Sequence, residues 1–215
     1  MIAIIDSGGA NIASVRFALE RLGVAGELTA DPAVITAADK VILPGVGAAP
    51  VAMAQLESAG LIDCIRALTQ PVLGICLGMQ LLFERSEEGD TPLLGLIGGS
   101  CRAFDPSTGL TVPHMGWNRL APTGASPHPL LSGIEPGAHV YFVHSYAAPV
   151  SDDTVASCSY GTDFTALVAR GNFMGAQFHP ERSGPVGSRI LENFLALPDI
   201  GPASGPDSGP DSVRG

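Results

Sequence analysis

A cysteine occupies a position at which the sequence predicts a catalytic nucleophile. The segment Gly74-Ile75-Cys76-Leu77-Gly78 follows an apolar run and precedes an amphipathic one, as in the cysteine version of the G-x-S-x-G nucleophile elbow. Such an elbow turns sharply from strand to helix, and its glycines prevent collisions between side chains. The helix that follows favours a thiolate, and the next amide can bind an oxyanion. We therefore predict that Cys76 is a nucleophile and that the Leu77 amide is an oxyanion donor.

A histidine and a glutamate further along the chain could activate this cysteine. They lie in Gln177-Phe178-His179-Pro180-Glu181, at the end of a predicted strand. Alternate residues of an extended segment point to the same side, so His179 and Glu181 are expected to face one cleft. A lone G-x-C-x-G arises by chance, and a lone histidine at a strand end is more often a surface or core residue. Together the two segments predict His179 as the base for Cys76 and Glu181 as the group that orients it.

The elements that must position these residues alternate between apolar β-rich runs and helical patterns. This alternation predicts an α/β fold: a single doubly wound, mostly parallel sheet flanked by helices, with a small antiparallel addition. Strands are predicted at 2–5, 41–43, 71–75, 140–143, 165–170 and 173–178, the last two joined by a hairpin turn at Gly171-Asn172. One helix is predicted from its cap at Asn11 to Gly23, with Ile12, Val15, Leu19 and Leu22 on one face. Further helices are predicted around Val51 and Leu56, after Cys76 through Met79, Leu82 and Phe83, and around Ile190, Leu191, Phe194 and Leu195. Residues 93–136 are predicted as short strands and loops.

Composition excludes several classes of function. The chain has 215 residues, of which 46% are hydrophobic, and a net charge of −10, so it lacks the basic surface that nucleic acids and anionic membranes require. Cys64, Cys101 and Cys158 are predicted to be small buried hydrophobes, and the absence of a C-x-x-C pair argues against structural zinc. The sequence has no secretion signal and no apolar run of about 18 residues, which predicts a cytoplasmic protein. Residues 1–198 are predicted to form one domain, and the Gly/Pro/Ser/Asp-rich residues 199–215 a disordered tail.

The motifs resemble those of the class I, or triad, glutamine amidotransferases. GICLGMQLLFE at 74–84 and QFHPE at 177–181 are similar to the catalytic segments of that family. Further segments resemble the glutaminase subunits of imidazole glycerol phosphate synthase: Asp6 with Gly8 and Asn11, PGVG at 44–47, SEEG at 86–89, PHMGWN at 113–118, YFVHSY at 141–146 and HPERSG at 179–184. Ser7, Ala10 and Arg182 depart from the usual family pattern, the first two near the expected partner interface.

The resemblance implies a reaction and a set of site residues. In this family glutamine is hydrolysed through a thioester and the ammonia passes to an acceptor, which implies Cys76, His179 and Glu181 as a triad. The implied oxyanion donors are Leu77 and, from the 44–47 loop, Val46 and Gly47. The residues implied to bind glutamine are Gly45, Gly78, Gln80, His144, Ser145 and Tyr146, although Gln80 could also be an ordinary polar residue of a first helical turn. The resemblance implies no cofactor and no metal.

The resemblance also implies a partner protein. This partner would be the (β/α)₈ cyclase subunit of imidazole glycerol phosphate synthase, which forms a heterodimer and uses the ammonia to make imidazole glycerol phosphate and aminoimidazole carboxamide ribonucleotide in histidine biosynthesis. Trp117, Asn118 and Tyr141 are candidates for the docking face or the ammonia gate, although Trp117 could equally be a core residue. Other readings are a glutaminase subunit of another class I amidotransferase, an inactive regulatory subunit, or a free-standing thiol peptidase or esterase. PHMGWN and YFVHSY argue against the first, and the intact triad argues against the second.

Overall fold

Strands from both halves of the chain meet in one central sheet. The computed structural model describes residues 1–6, 12–124 and 128–198. The strands are β1 (Ile2–Ile5), β2 (Gly26–Thr29), β3 (Lys40–Gly45), β4 (Val72–Cys76), β5 (Arg85–Ser86), β6 (Thr91–Pro92), β7 (Ser100–Ala103), β8 (His114–Arg119), β9 (Ala121–Pro122), β10 (His139–His144), β11 (Tyr146–Ala147), β12 (Thr154–Tyr160), β13 (Thr162–Arg170) and β14 (Phe173–Ala176). The central sheet has the order β2-β1-β3-β4-β14-β13-β12-β9. Its strands from β2 to β14 are parallel, and β13, β12 and β9 continue it antiparallel.

Helices cover both faces of the central sheet, which confirms the predicted doubly wound α/β class. They are α1 (Ile12–Arg21), α2 (Pro32–Ala37), α3 (Ala49–Ser58), α4 (Leu61–Arg66), α5 (Leu77–Gln80) and α6 (Gly184–Ala196). One core layer packs α1 and α6 against side chains such as Ile4 and Ile42, and the other packs α2, α3 and α4 against Ile5 and Leu43. Neighbouring residues of a strand point to opposite faces and both faces are covered, so β1, β3, β4 and β14 are buried along their whole length.

Two smaller sheets stand beside the central one in the described part of the chain. Strands β8 and β10 form an antiparallel pair, and β11, β7, β5 and β6 form a four-stranded sheet. In the β8–β10 pair, His114 lies opposite His144 and Trp117 lies opposite Tyr141. Alternation along the strands therefore buries His114 and His144 on the inner face and leaves Trp117 on the outer face.

The turn from β4 into α5 is held by very close packing. A side chain at Gly78 would place its Cβ 1.8 Å from the Leu43 carbonyl oxygen, and one at Gly74 would lie 2.6 Å from the Gly78 carbonyl oxygen. The predicted need for glycine at both positions is thus confirmed. At Gly78 the obstacle is the neighbouring strand β3, rather than the side chain of Cys76.

The predicted helix after Cys76 is shorter than expected. It ends at Gln80 instead of continuing through Phe83, because the carbonyl groups of Leu81, Leu82 and Phe83 accept hydrogen bonds from the amides of residues 94–97. The buried face of α3 also differs from the predicted one, which included Val51. Ala49, Ala52 and Leu56 are buried, whereas Val51 is exposed.

Other predicted elements are confirmed with small shifts. Gly171 and Asn172 connect β13 to β14 in a hairpin in which Arg170 pairs with Phe173, although β14 ends at Ala176. The short strands of 93–136 are present. Strands β2 and β12 and helices α2 and α4 had no counterpart among the predicted elements. The Asn11 cap and the tail at 199–215 lie outside the described residues, and the helices within the described ranges are too short and polar to cross a membrane.

We predict that Gly78→Ala strongly destabilises the folded chain, whereas Gly98→Ala is tolerated. A Cβ at position 78 would overlap the β3 backbone, but one at position 98 would approach only Arg170 Nη1, at 3.7 Å. Overpacking of this kind lowers the free energy of unfolding by about 3 kcal/mol or more, and the control should change it by less than about 1 kcal/mol. Urea unfolding of the two variants measures the difference. Equal stabilities would contradict the packing described for the elbow.

Candidate active site

Cys76 lies at the C-terminal end of β4 with an unusual backbone conformation. Its φ is 53° and its ψ is −113°, a conformation that a residue with a side chain adopts only under constraint from its surroundings. The side chain lines a cavity of about 290 Å³ and lies 3.6 Å from the Val143 carbonyl oxygen. The cavity is lined by Val46, Gly47, Cys76, Leu77, Gln80, Glu88, Pro113, Val143, His144, Ser145, Tyr146 and His179. The strained turn therefore presents the sulfur to an open space instead of the core.

The other cysteines of the chain have different surroundings. Cys101 and Cys158 are buried, and burial raises the pKa of each thiol to about 12. They match the prediction of small buried hydrophobes. Cys64 is only partly buried, so that prediction is wrong in degree; its sulfur lies near Thr36 Oγ1 and the Pro32 carbonyl oxygen. None of these three cysteines lines the cavity.

His179 reaches the same cavity from the segment that follows the neighbouring strand β14. Its Nδ1 lies 2.8 Å from Glu181 Oε1, and the Glu181 side chain is fully buried. Burial lowers the pKa of His179, but hydrogen bonds and charge interactions with Cys76 and Glu181 outweigh it and raise the pKa to about 10. Because Nδ1 faces the carboxylate, Nε2 is the ring nitrogen left for the sulfur. The three groups can therefore share protons in the order sulfur, imidazole, carboxylate.

The reason why Glu181 meets His179 differs from the predicted one. His179 has extended backbone angles, but Glu181 lies in a short 3₁₀ turn, Pro180–Arg182. The turn, rather than alternation along a strand, brings the carboxylate back to the imidazole. Ser183 closes this turn: its hydroxyl donates to the His179 carbonyl oxygen at 2.7 Å and accepts from the Tyr141 amide at 2.9 Å.

The residues expected to hold an oxyanion flank the sulfur. Leu77, Val46 and Gly47 all line the cavity. Gly47 is exposed and has a φ of 91°, a left-handed conformation that glycine adopts without steric cost. Gly45 and Gly78 do not line the cavity. They pack against each other behind it, since a Cβ on Gly45 would lie 2.4 Å from the Gly78 nitrogen.

The remaining residues expected to bind glutamine form one wall of the cavity. Gln80, His144, Ser145 and Tyr146 all line it. The buried Gln80 side chain donates from Nε2 to the Tyr146 carbonyl oxygen at 2.8 Å and to Gln177 Oε1 at 3.0 Å. Gln80 thus links Tyr146 to Gln177 by hydrogen bonds, and it also lines the cavity.

Sequence reasoning missed three cavity residues: Glu88, Pro113 and Val143. The Glu88 carboxylate accepts a hydrogen bond from the Ala49 amide at 2.7 Å, at the start of α3. Each of the three lies inside a segment that carried the family resemblance, so the segments indicated them, but residue type alone did not. Among the described residues, no three His, Cys, Asp or Glu side chains come together as ligands for a metal.

The candidate interface residues lie on the β8–β10 pair but on different faces. Trp117 is 56% exposed, and its ring contacts Tyr141 edge-on at 5.9 Å between centroids. Met115, opposite Val143, is 63% exposed on the same face. We call Met115, Trp117, Tyr141 and Val143 the β8–β10 patch. Asn118 points inward, where its amide donates to the Ser159 carbonyl oxygen at 2.9 Å, because neighbouring strand residues face opposite sides.

Comparisons with known proteins agree with this geometry. Residues 3–197 match the family described as glutamine amidotransferase class-I. The chain is 57% identical over 196 residues to the imidazole glycerol phosphate synthase subunit HisH of Xanthomonas euvesicatoria, covering 91% of this chain and 97% of the relative. It is 56% identical over the same length to the HisH subunit of Xylella fastidiosa, with the same coverage of both chains. Among solved structures, a glutamine amidotransferase matches with a TM-score of 0.68 at 17% identity, covering 90% of this chain and 96% of that one. The structure of PurLQS from Thermotoga maritima matches with a TM-score of 0.67 at 20% identity and the same coverage.

We predict that stability falls in acid because two buried histidines stay neutral in the folded protein. Burial lowers the pKa of His114 to about 4 and that of His144 to about 3. Unfolded histidines bind protons below about pH 6.5, so the free energy of unfolding falls as the pH drops from about 6.5 toward 4, by up to about 1.4 kcal/mol per pH unit for each histidine. His179 has the opposite sign: its contribution is full below about pH 6.5 and is lost as the pH rises toward 10.

Chemical unfolding between pH 4.5 and 6.5 measures the acid limb. His144→Leu should flatten the slope by about one proton, while His139→Gln, which changes an exposed histidine, should leave it unchanged. An identical slope in wild type and His144→Leu would contradict the neutral state assigned to His144.

Proposed function

The chain belongs to the class I glutamine amidotransferase family, and from this premise we propose that it is the glutaminase subunit of an imidazole glycerol phosphate synthase. The observation that carries the proposal is the junction of Cys76, His179 and the buried Glu181 at one cavity. The similarity of this chain to solved structures of amidotransferases supports the fold alone. The choice of acceptor rests on the 57% identity to HisH subunits over nearly their whole length.

The proposed first half-reaction forms a thioester and releases ammonia. Cys76, as thiolate, attacks the carboxamide carbon of glutamine, and the oxygen becomes an oxyanion beside the Leu77 amide and an amide of Val46 or Gly47. His179, as imidazolium, donates its proton to the departing nitrogen, so that the C–N bond breaks and ammonia leaves. Glu181 accepts a hydrogen bond from His179 Nδ1 and stabilises the imidazolium.

The second half-reaction returns the enzyme to its starting state. The neutral His179 removes a proton from water, which attacks the thioester carbonyl carbon. The C–S bond then breaks, glutamate leaves, and Cys76 is again a thiolate beside an imidazolium. One water is consumed and one ammonia is released for each glutamine. The raised pKa of His179, to about 10, keeps its imidazolium form available at neutral pH as the donor to the departing nitrogen.

The cavity suits a small amino acid. Its volume is about 290 Å³, below the range usual for drug-sized ligands. Glu88 contributes a carboxylate to the lining, which we assign to the α-ammonium group of glutamine. The wall formed by Ser145 and Tyr146 is assigned to the remaining polar groups of the substrate.

The β8–β10 patch is the proposed docking face for the (β/α)₈ cyclase subunit. An exposed tryptophan beside a tyrosine and a methionine is typical of protein interfaces. Val143 belongs both to this patch and to the cavity lining, so ammonia released at Cys76 would leave next to the partner. We place the complex in the cytoplasm, where thiols stay reduced.

The decisive experiment measures glutamate release by the purified chain, alone and with the cyclase subunit from the same source carrying its nucleotide ligand. We expect the liganded cyclase to stimulate the reaction strongly. Cys76→Ala should lower the rate by at least about a thousandfold, because no other cysteine lines the cavity. Cys64→Ala, which changes a partly exposed cysteine elsewhere, should retain the wild-type rate. Absence of glutamate release in both conditions would refute the proposed function.

A second prediction concerns association. Trp117→Ala should weaken binding of the cyclase subunit at least about tenfold, since exposed aromatic anchors dominate interface energies. Val150→Ala, which removes an exposed apolar side chain outside the patch, is the control. Calorimetric titration measures both affinities. Equal affinity of the two variants would exclude the β8–β10 patch as the docking face.

A further inference from the structure

Two buried histidines on the inner face of the β8–β10 pair form a direct hydrogen bond. His114 and His144 lie opposite each other in the register of the strands. Their side chains meet with His114 Nδ1 at 3.0 Å from His144 Nε2. Each residue is less than a tenth exposed. The reaction proposed above gives His114 no role, and His114 does not line the cavity.

The partners of His144 determine which of its nitrogens carries the proton. Its Nδ1 lies 2.9 Å from the Tyr146 carbonyl oxygen, and a carbonyl oxygen can only accept. His144 is neutral because burial lowers its pKa to about 3. The proton is therefore on Nδ1, and Nε2 must accept. It follows that His114 donates to His144 from Nδ1.

The same reasoning fixes His114. Its neutral ring donates from Nδ1, so its Nε2 is an acceptor, and the Asn118 Nδ2 lies 3.4 Å away. The orientation of the Asn118 side-chain amide is fixed by two further hydrogen bonds: Oδ1 accepts from the Arg119 amide at 2.8 Å, and Nδ2 also donates to the Ser159 carbonyl oxygen. A flipped amide would lose both of them. The hydrogen bonds thus run in one direction, from Asn118 through His114 and His144 to the Tyr146 carbonyl oxygen.

Aromatic packing holds the His114 ring in the orientation that this chain of bonds requires. Its ring stacks on Tyr160, with 4.0 Å between centroids and 21° between planes, and on Phe142 at 5.0 Å and 25°. The Tyr160 hydroxyl donates to the Thr111 carbonyl oxygen at 2.9 Å. Rotation of His114 would therefore disturb several neighbours, and the ring is a rigid donor.

The chain of bonds ends at the wall of the active-site cavity. The Tyr146 carbonyl oxygen accepts both from His144 Nδ1 and from Gln80 Nε2. His144, Ser145 and Tyr146 are consecutive lining residues, and Val143 before them contacts the Cys76 sulfur through its carbonyl oxygen. His114 is thus connected to this wall through two successive hydrogen bonds, although it does not itself line the cavity.

We propose that His114 is a positioning residue for glutamine binding: the hydrogen bond from its Nδ1 to His144 Nε2 acts together with the Tyr146 carbonyl oxygen at His144 Nδ1. The two partners keep His144 in one tautomer and hold the wall from His144 to Tyr146 in place. The kinetic part of this proposal rests on the proposed glutaminase function, whereas the tautomer part does not. His114→Phe keeps an aromatic ring in the stack but removes the donor. His114→Asn places an amide nitrogen near the former Nδ1 position and restores a donor.

The test combines histidine nitrogen NMR of the full chain with glutaminase kinetics in the complex with the cyclase subunit. The ¹⁵N shifts of the His144 ring report which nitrogen is protonated, and His139→Phe is the control. We expect His114→Phe to reduce the Nδ1–H form of His144 and to raise KM for glutamine about five- to tenfold, with kcat changed less than about twofold, as for the loss of one buried hydrogen bond. His114→Asn should restore both readouts.

The outcomes separate this proposal from the proposed function. An unchanged His144 tautomer in His114→Phe would overturn the proposal, whether or not KM rises. A changed tautomer with an unchanged KM would overturn the positioning role. If the wild-type complex releases no glutamate, the proposed function fails, and the tautomer measurement still decides whether His114 orients His144. Should His114→Phe not fold, His114→Gln replaces it, because its amide lies at the Nε2 position and also lacks the donor toward His144.

Discussion

The close approach of strand β3 to the turn after β4 is the constraint on which the site depends. With the Leu43 carbonyl oxygen only 1.8 Å from where a Cβ of Gly78 would lie, the chain has little freedom at the turn, and Cys76 is held at a φ of 53°. The buried parallel strands on either side hold Cys76 in this strained conformation. Because β14 pairs with β4 in parallel register, with Ala176 opposite Ile75, the segment after β14 reaches the sulfur, and His179 arrives from a distant part of the sequence.

Strand β10 is the second organising element, and it acts mainly through its backbone. The Val143 carbonyl oxygen contacts the Cys76 sulfur, the Tyr141 carbonyl oxygen accepts from the His179 amide at 2.9 Å, and the Tyr141 amide donates to Ser183. One face of this strand contributes to the exposed patch, and the other face is packed with aromatic rings. A partner that contacts the patch would therefore touch the strand whose backbone contacts both Cys76 and His179. A contact at the patch could therefore affect Cys76 and His179 through this one strand, without a long chain of intervening residues.

Sequence patterns predicted the parts of the molecule that local chemistry controls. Strand β4, the elbow glycines and the hairpin at Gly171 follow from local apolar runs and turn residues. The short α5 could not be predicted, because residues 94–97, which are remote in sequence, supply the amides that end it. The exposed edge strand β2 carries a mixed pattern, with Glu27 in its middle, that resembles neither a buried nor an alternating strand. At the site, residue type indicated Cys76 and His179. The place of Glu88 and the choice of which face of β8 is buried, and with it the inward direction of Asn118, depend on tertiary packing.

The surroundings of the histidines separate their roles. His179 lies between a sulfur and a carboxylate, and its pKa is raised to about 10; His114 and His144 lie among Phe104, Phe142 and Phe164, and burial lowers their pKa values to about 4 and 3. A second imidazolium beside His179 would be repelled by the charge on that ring. Neutral imidazoles avoid this repulsion while still offering one donor and one acceptor each. The aromatic core beneath β10 therefore keeps His114 and His144 neutral, and this allows them to serve as structural hydrogen-bonding groups close to the positively charged His179.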